Sequence, residues 1–447
     1  MVFATALRYA AHPCTTARPG DNLGDANLRP VTSTSPPNVE ERSAARRAPG
    51  VSTAKRFLVL SHRWTALIFG LLLVIVSTSG ALIVYEPEML RASNSELFAS
   101  TQTDRPVTFS DATDAVAAAD PEFAAADVSL KDGVYLLSSA EGDGQTYFVD
   151  AGSGQVNGHN NLYGGVVGFL ENLHDCALTC EEFAGYVPWL AAPSPLASFT
   201  PMREMSWGAV LLAVAAAGLV VLAVTAPFIW WPGLRKWRNI IRLRWNRGRY
   251  ARDFDLHNII GIVAVVPLLI WGLTGLNFEV PGFSGLWYSA TGGQAPPEDN
   301  YSMEPSEHPG NPVSLDEAIS VAQSRFPGSQ PTWVGLPESD DGFYSIDLID
   351  GGPDLWAHNA VYRGNRSVGV DALDPTNVRV FLGPSATVSN AIADEWAQPA
   401  LHYGHAVNPY WRVLWFVLGL TPLLLLLTGL STWLYRRRVS RRRRAAP

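Results

Sequence analysis

The sequence predicts an α-helical membrane protein in which four transmembrane helices alternate with two α+β domains on the extracytoplasmic side. Three observations lead there. Of 447 residues, 47% are hydrophobic and only 17% charged, whereas soluble domains carry about 25% charged residues. Uncharged apolar runs occupy 64–85, 205–234, 256–278 and 413–435, and each meets the requirement of about 20 residues to cross about 30 Å of hydrocarbon. Finally, bases and carboxylates occupy different stretches. The apolar content excludes a disordered chain, and a net charge of −8 argues against a nucleic-acid binder. Three cysteines are too few for a disulfide scaffold or zinc array.

Residues 1–54 mix Ala, Arg, Pro, Ser and Thr without apolar periodicity and hold no signal-peptide core. They read as a disordered cytoplasmic leader, or as a start codon placed too early. The first span (57–85) follows Lys55 and Arg56 and includes Arg63. Segment 86–204 holds 18 acidic against 4 basic residues. After the second span (205–234), the loop 235–255 carries eight bases, among them Arg242, Arg244, Arg247 and Arg252. The third span is 256–278, and segment 279–411 has 17 acidic against 4 basic residues. The fourth span (412–435) leads into a tail, 436–447, with seven arginines. Lys and Arg beside spans stay in the cytoplasm. Both termini and the middle loop are therefore expected inside, and the two acidic segments outside. The arginine clusters also suit anionic lipid.

The acidic segments read as one unit used twice. In the first, a helix-start signal at Ser110 opens an Ala-rich helix, and strand-like runs follow at 133–138 and 145–150. In the second, Ser314 is the candidate cap, with strand-like runs at 343–349, 356–362 and 367–370.

Three histidines stand at span entrances, and a fourth, His174, follows the outer apolar stretch 162–170. His62 and His257 enter from the inner side at matching depth, and His174 and His402 belong to the outer side. Ionisable side chains at membrane depth are costly and usually functional. Zinc or copper normally recruits further Cys, His or carboxylate ligands, and the inner pair has no obvious ones. Haem iron needs only axial ligands, since the porphyrin supplies four nitrogens. Gly70, Gly80, Gly261, Gly272, Gly275, Gly419 and Gly429 offer room for a macrocycle, or else close helix packing. Arg63, Arg252 and Arg412 are placed to pair with haem propionates, though topology alone accounts for them as well.

The motifs Leu60-Ser-His62-Arg, Asn172-Leu-His174, Trp230-Trp-Pro-Gly233, Asp255-Leu-His257 and Leu401-His402-Tyr-Gly404 resemble those of PepSY-associated transmembrane proteins. That class includes iron-regulated membrane proteins and bacterial ferric-siderophore reductases. The likeness extends over roughly 55–438, and the two outer segments resemble PepSY domains. It implies two b-type haems, with His62 and His257 as ligands inside and His174 and His402 outside. One departure stands out: 30 residues separate His174 from Met205, including Cys176 and Cys180. His405 is a rival outer ligand. In an oxidising compartment the two cysteines are expected to form a disulfide; a soft-metal site with His174 is the other reading.

The function expected is a di-haem electron wire in a bacterial plasma membrane that reduces an external ferric chelate such as a ferric siderophore. Electrons would come from a cytoplasmic reductase or from quinol, because no Gly-rich dinucleotide fingerprint occurs. Two other classes are compatible: a PepSY-type regulator restraining an extracytoplasmic peptidase, and an accessory of iron or copper transport.

Overall fold

The computed structural model describes residues 53–445 apart from 200–201, 203–204, 232–241, 296–300, 340–341, 351–363, 394–400 and 405–408. The expected leader up to residue 52, the strand-like run 356–362 and the rival ligand His405 lie outside the described residues.

Four helices are long and apolar enough to cross a membrane: M1 (Thr53–Ile83), M2 (Trp207–Trp230), M3 (Arg249–Glu279) and M4 (Tyr410–Ala445). M4 is interrupted at Leu420, ahead of Pro422, between helices ending at Gly419 and starting at Thr421. M1 and M3 begin earlier than the uncharged runs, because a helix continues through its charged first turns when these reach the aqueous boundary. His62 and His257 therefore lie inside helices and not ahead of them. Leu71, Val263 and Leu427 are 69%, 64% and 55% exposed on the bundle's outer face. Such a surface is stable only against lipid, and the chain is a multi-pass membrane protein. Small residues bring the helices close. A methyl added at Gly272 on M3 would stand 2.8 Å from Val220 and 3.1 Å from the Ala216 carbonyl, both on M2.

On one side of the bundle, the segments between M1 and M2 and between M3 and M4 each give a helix followed by four strands. The first helix, Phe109–Ala119, is capped by Thr108, two residues before the expected Ser110. Thr108 accepts from Asp111 N and Asp111 accepts from Thr108 N, a reciprocal capping box that outcompetes a lone serine. The second helix, Leu315–Arg325, is capped by Ser314 as expected. Strands β1 (Ala125–Lys131), β2 (Val134–Ser139), β3 (Gln145–Asp150) and β4 (Val156–Asn161) form the first unit. Strands β5 (Gln330–Gly335), β6 (Phe343–Ile349), β7 (Arg366–Asp371) and β8 (Val378–Leu382) form the second.

The two units are not separate. Val128 of β1 pairs with Val334 of β5 in an antiparallel contact. The result is one eight-stranded sheet in the order β4-β3-β2-β1-β5-β6-β7-β8. Both helices lie over a shared core in which Ala112, Val128, Leu137, Ala318, Val334 and Ile346 are fully buried. Pairing β1 to β5 satisfies two strand edges that would otherwise stay open.

Candidate functional site

The four histidines form two pairs within or beside the bundle. The His62 and His257 rings have centroids 6.4 Å apart, and the His174 and His402 rings 6.3 Å. Along M1, His62 and the Val76 carbonyl beside His174 are about 21 Å apart, at 1.5 Å per residue. One pair therefore sits towards the arginine-rich side and the other towards the sheet, within a hydrocarbon layer of about 30 Å.

Each imidazole is oriented through Nδ1. His62 Nδ1 lies 2.9 Å from Thr225 Oγ1 on M2. His257 Nδ1 is 3.1 Å from both Leu425 O and Thr428 Oγ1 on M4. His174 Nδ1 meets Val76 O of M1 at 2.8 Å, and His402 Nδ1 meets Thr274 Oγ1 of M3 at 2.5 Å. In every ring Nε2 is the nitrogen left for a ligand. The second hydrogen bond of a metal-binding histidine normally fixes the ring in this way.

The sheet-side pair is assembled from parts outside the four helices. His174 lies in the last turn of the helix Gly165–Asp175, which packs on M1. Asn172, fully buried, clasps the turn that follows: its Nδ2 donates to Cys180 O, and its Oδ1 accepts from Cys180 N. The disulfide Cys176–Cys180 closes the same turn, so neither sulfur is a thiolate. His402 lies in a segment held by two indole N–H groups, Trp271 to Leu401 O and Trp415 to His402 O, each at 3.2 Å. Gly404 adopts φ +79°, and a side chain there would strike Trp415.

Not all the glycines make room for a macrocycle. A methyl at Gly80 would overlap the His174 ring, and one at Gly429 would stand 3.2 Å from His257 Cε1. These two accommodate imidazoles, while Gly70 and Gly272 serve helix packing. Gly80, Gly275 and Gly419 do border a cavity of about 510 Å³ between His174 and His402, walled by Trp271, Phe278 and Trp415. Cofactor-sized cavities run about 300–1,000 Å³.

The arginines fall out differently from the expectation. Arg412 forms a two-pronged pair with Glu88 and donates to Val84 O, so both of its terminal nitrogens are already taken. Arg252 is paired with Asp253, which also accepts from Ser431 of M4. Among the described residues Arg63, lying over Trp64, makes no ion pair, and its Nε is buried without a partner, as is the Nε of Arg412. Asp255 of the Asp-Leu-His motif binds Arg244 through two side-chain contacts at 2.9 and 2.7 Å, tying the basic loop to M3. Four carboxylates also line the sheet-side cavity: Glu86, Glu171, Asp175 and Glu279. Burial, with Glu86 and Asp175 nearby, pushes the Glu171 carboxyl up to about 9.

The family model of the PepSY-associated TM region matches residues 59–436. The chain belongs to this family. Among curated proteins nothing matches it. In this member of the PepSY-associated TM region family, the matched stretch contains all four paired histidines and both sheet units.

The fit of a haem rests on ring spacing. A metal–imidazole bond is about 2.0–2.1 Å. With the ring centroid about 1.1 Å behind its ligating nitrogen, two imidazoles on opposite sides of one metal ion have centroids about 6.3 Å apart. Both pairs match that span. Among the described residues, no group of three or more His, Cys, Asp or Glu could hold a metal ion. Two imidazoles alone suit a metal that brings its other ligands with it.

Proposed function

We propose that this protein carries electrons across a bacterial plasma membrane through two b-type haems and delivers them to an external ferric chelate. The spacing of the two histidine pairs supports this reading above all else. Haem iron held in each pair would supply reversible one-electron redox chemistry. The chain's own part is to orient four Nε2 atoms, keep water from them within the apolar bundle, and set the two pairs at different depths. Thr225, Val76, Leu425, Thr428 and Thr274 orient the rings. Arg63, which makes no ion pair among the described residues and whose Nε is unsatisfied, is the arginine proposed to meet a propionate.

In this reading the arginine side faces the cytoplasm, by the positive-inside rule, and takes electrons from a separate reductase or from quinol. The sheet units are PepSY-type domains outside the membrane, and the ferric chelate is the substrate. Adding one electron converts its ferric ion to the more weakly bound ferrous ion.

Two measurements test the proposal. A reduced-minus-oxidised optical spectrum of the purified protein should show bis-imidazole haem, with about two haems per chain. Proteoliposomes loaded with reductant should then reduce a membrane-impermeant ferric chelate added outside. A protein without haem bands ends the reading; haem bands without chelate reduction leave a haem protein of another function.

A further inference from the structure

We infer that Thr225, Thr274 and Thr428 are positioning residues, each fixing the tautomer of one imidazole so that its Nε2 offers a lone pair into the gap of its pair. This rests on reading the pairs as haem ligands.

A hydroxyl has one proton to give. Thr225 Oγ1 stands 2.6 Å from Val221 O, Thr274 Oγ1 2.8 Å from Ile270 O, and Thr428 Oγ1 2.7 Å from Leu424 O. Each threonine thus donates to the carbonyl four residues back in its own helix. Its oxygen keeps acceptor capacity only. The groups waiting at those oxygens are His62 Nδ1, His402 Nδ1 and His257 Nδ1. Each Nδ1 must therefore carry the hydrogen. A neutral imidazole has one N–H, so Nε2 is bare and able to bind a metal.

The fourth ring reaches the same state by a different route. His174 Nδ1 faces the Val76 carbonyl, which has no proton to offer. All four imidazoles share one tautomer, fixed before any ligand arrives. Each threonine also belongs to a different element from the histidine it serves. M2 serves M1, M4 serves M3, and M3 serves the segment ahead of M4.

Removing the hydroxyl leaves a buried Nδ1–H unpaired, or lets the proton move to Nε2 and block ligation. Loss of the outer partner of a metal-binding histidine typically costs about 10–100-fold in affinity. The hydrogen bond also makes the imidazole a stronger donor, so its loss should raise the midpoint potential of the affected haem.

The test uses the full-length chain, purified without haem and titrated with haemin, followed by optical spectra and redox titration. Thr225→Val and Thr274→Val should each weaken haemin binding at one pair by about 10–100-fold and shift one midpoint potential upwards. Thr225→Ser and Thr274→Ser should restore both. Thr428→Val should do less, because His257 Nδ1 keeps Leu425 O at 3.1 Å. Thr78→Val, which removes a buried hydroxyl with no partner, should change nothing. Valine variants with unchanged affinity and potentials, or serine variants as weak as valine, overturn the assignment. A wild-type chain that takes up no haemin overturns the haem reading itself.

Discussion

Gly80→Ala is the sharpest single perturbation of the sheet-side pair. A methyl at this position would stand 2.8 Å from both ring nitrogens of His174, and closer still to Cε1. Non-bonded heavy atoms need about 3.5–4.0 Å, so the ring must retreat by about 1 Å. Metal–ligand distances tolerate only about 0.2 Å. The retreat exceeds that several-fold, and it also pulls Nδ1 from Val76 O. Glycine to alanine inside a helix ordinarily stabilises it by about 1 kcal/mol, so the expected sign is opposite to that of a generic helix effect. The assay is haem content per chain in purified protein, with the arginine-side pair as internal reference. Gly80→Ala should fall from about two haems to about one, matching His174→Ala. Gly70→Ala is the comparison: its methyl meets only the end of Leu426, a flexible side chain that can rotate away. Two haems and an unchanged spectrum in Gly80→Ala would refute the placement of His174.

Three further predictions follow from the same frame. His62→Ala or His257→Ala should lose about half of the bound haem and stop chelate reduction while still inserting in the membrane; His308→Ala, exposed near the sheet, should change neither. A C-terminal reporter active only outside the cytoplasm should stay silent, and strong activity there would invert the orientation read from the arginines. Thiol labelling of the unreduced protein should detect Cys14 alone, and labelling of all three cysteines would remove the Cys176–Cys180 closure.

The spans were legible because apolar length is a local property that each helix carries in full. The four histidines were legible too, because an ionisable side chain is conspicuous in an apolar run. What the sequence hid is what depends on partners far along the chain. Thr225, Thr274 and Thr428 look like ordinary helix residues, and only packing shows them beside imidazoles. Arg412 looked free because Glu88, its partner, lies 324 residues away. Strands β1, β4, β5 and β8 were not among the strand-like runs; β4, Val-Asn-Gly-His-Asn-Asn, has a single apolar residue and shows no alternation. Its strand character comes from neighbours on the ladder, not from composition.

The sheet itself has a consequence for the site. The arginine-side pair is made entirely of spans, with His62 on M1 and His257 on M3. The sheet-side pair is not: His174 comes on a helix that follows β4, and His402 on a segment after β8. Each unit hands one imidazole to the bundle, and β1 against β5 is the joint between the units. Breaking that joint should therefore affect one pair and spare the other. Val128 is fully buried in β1, a strand paired on both sides. Proline there removes a ladder hydrogen bond and is not tolerated in a central strand. Val128→Pro should make the sheet sensitive to protease and lose the sheet-side haem, while the arginine-side haem keeps its spectrum. If the sheet is cleaved and both haems stay, then M1 and the disulfide-closed turn hold His174 unaided. The sheet would then serve something other than the pair.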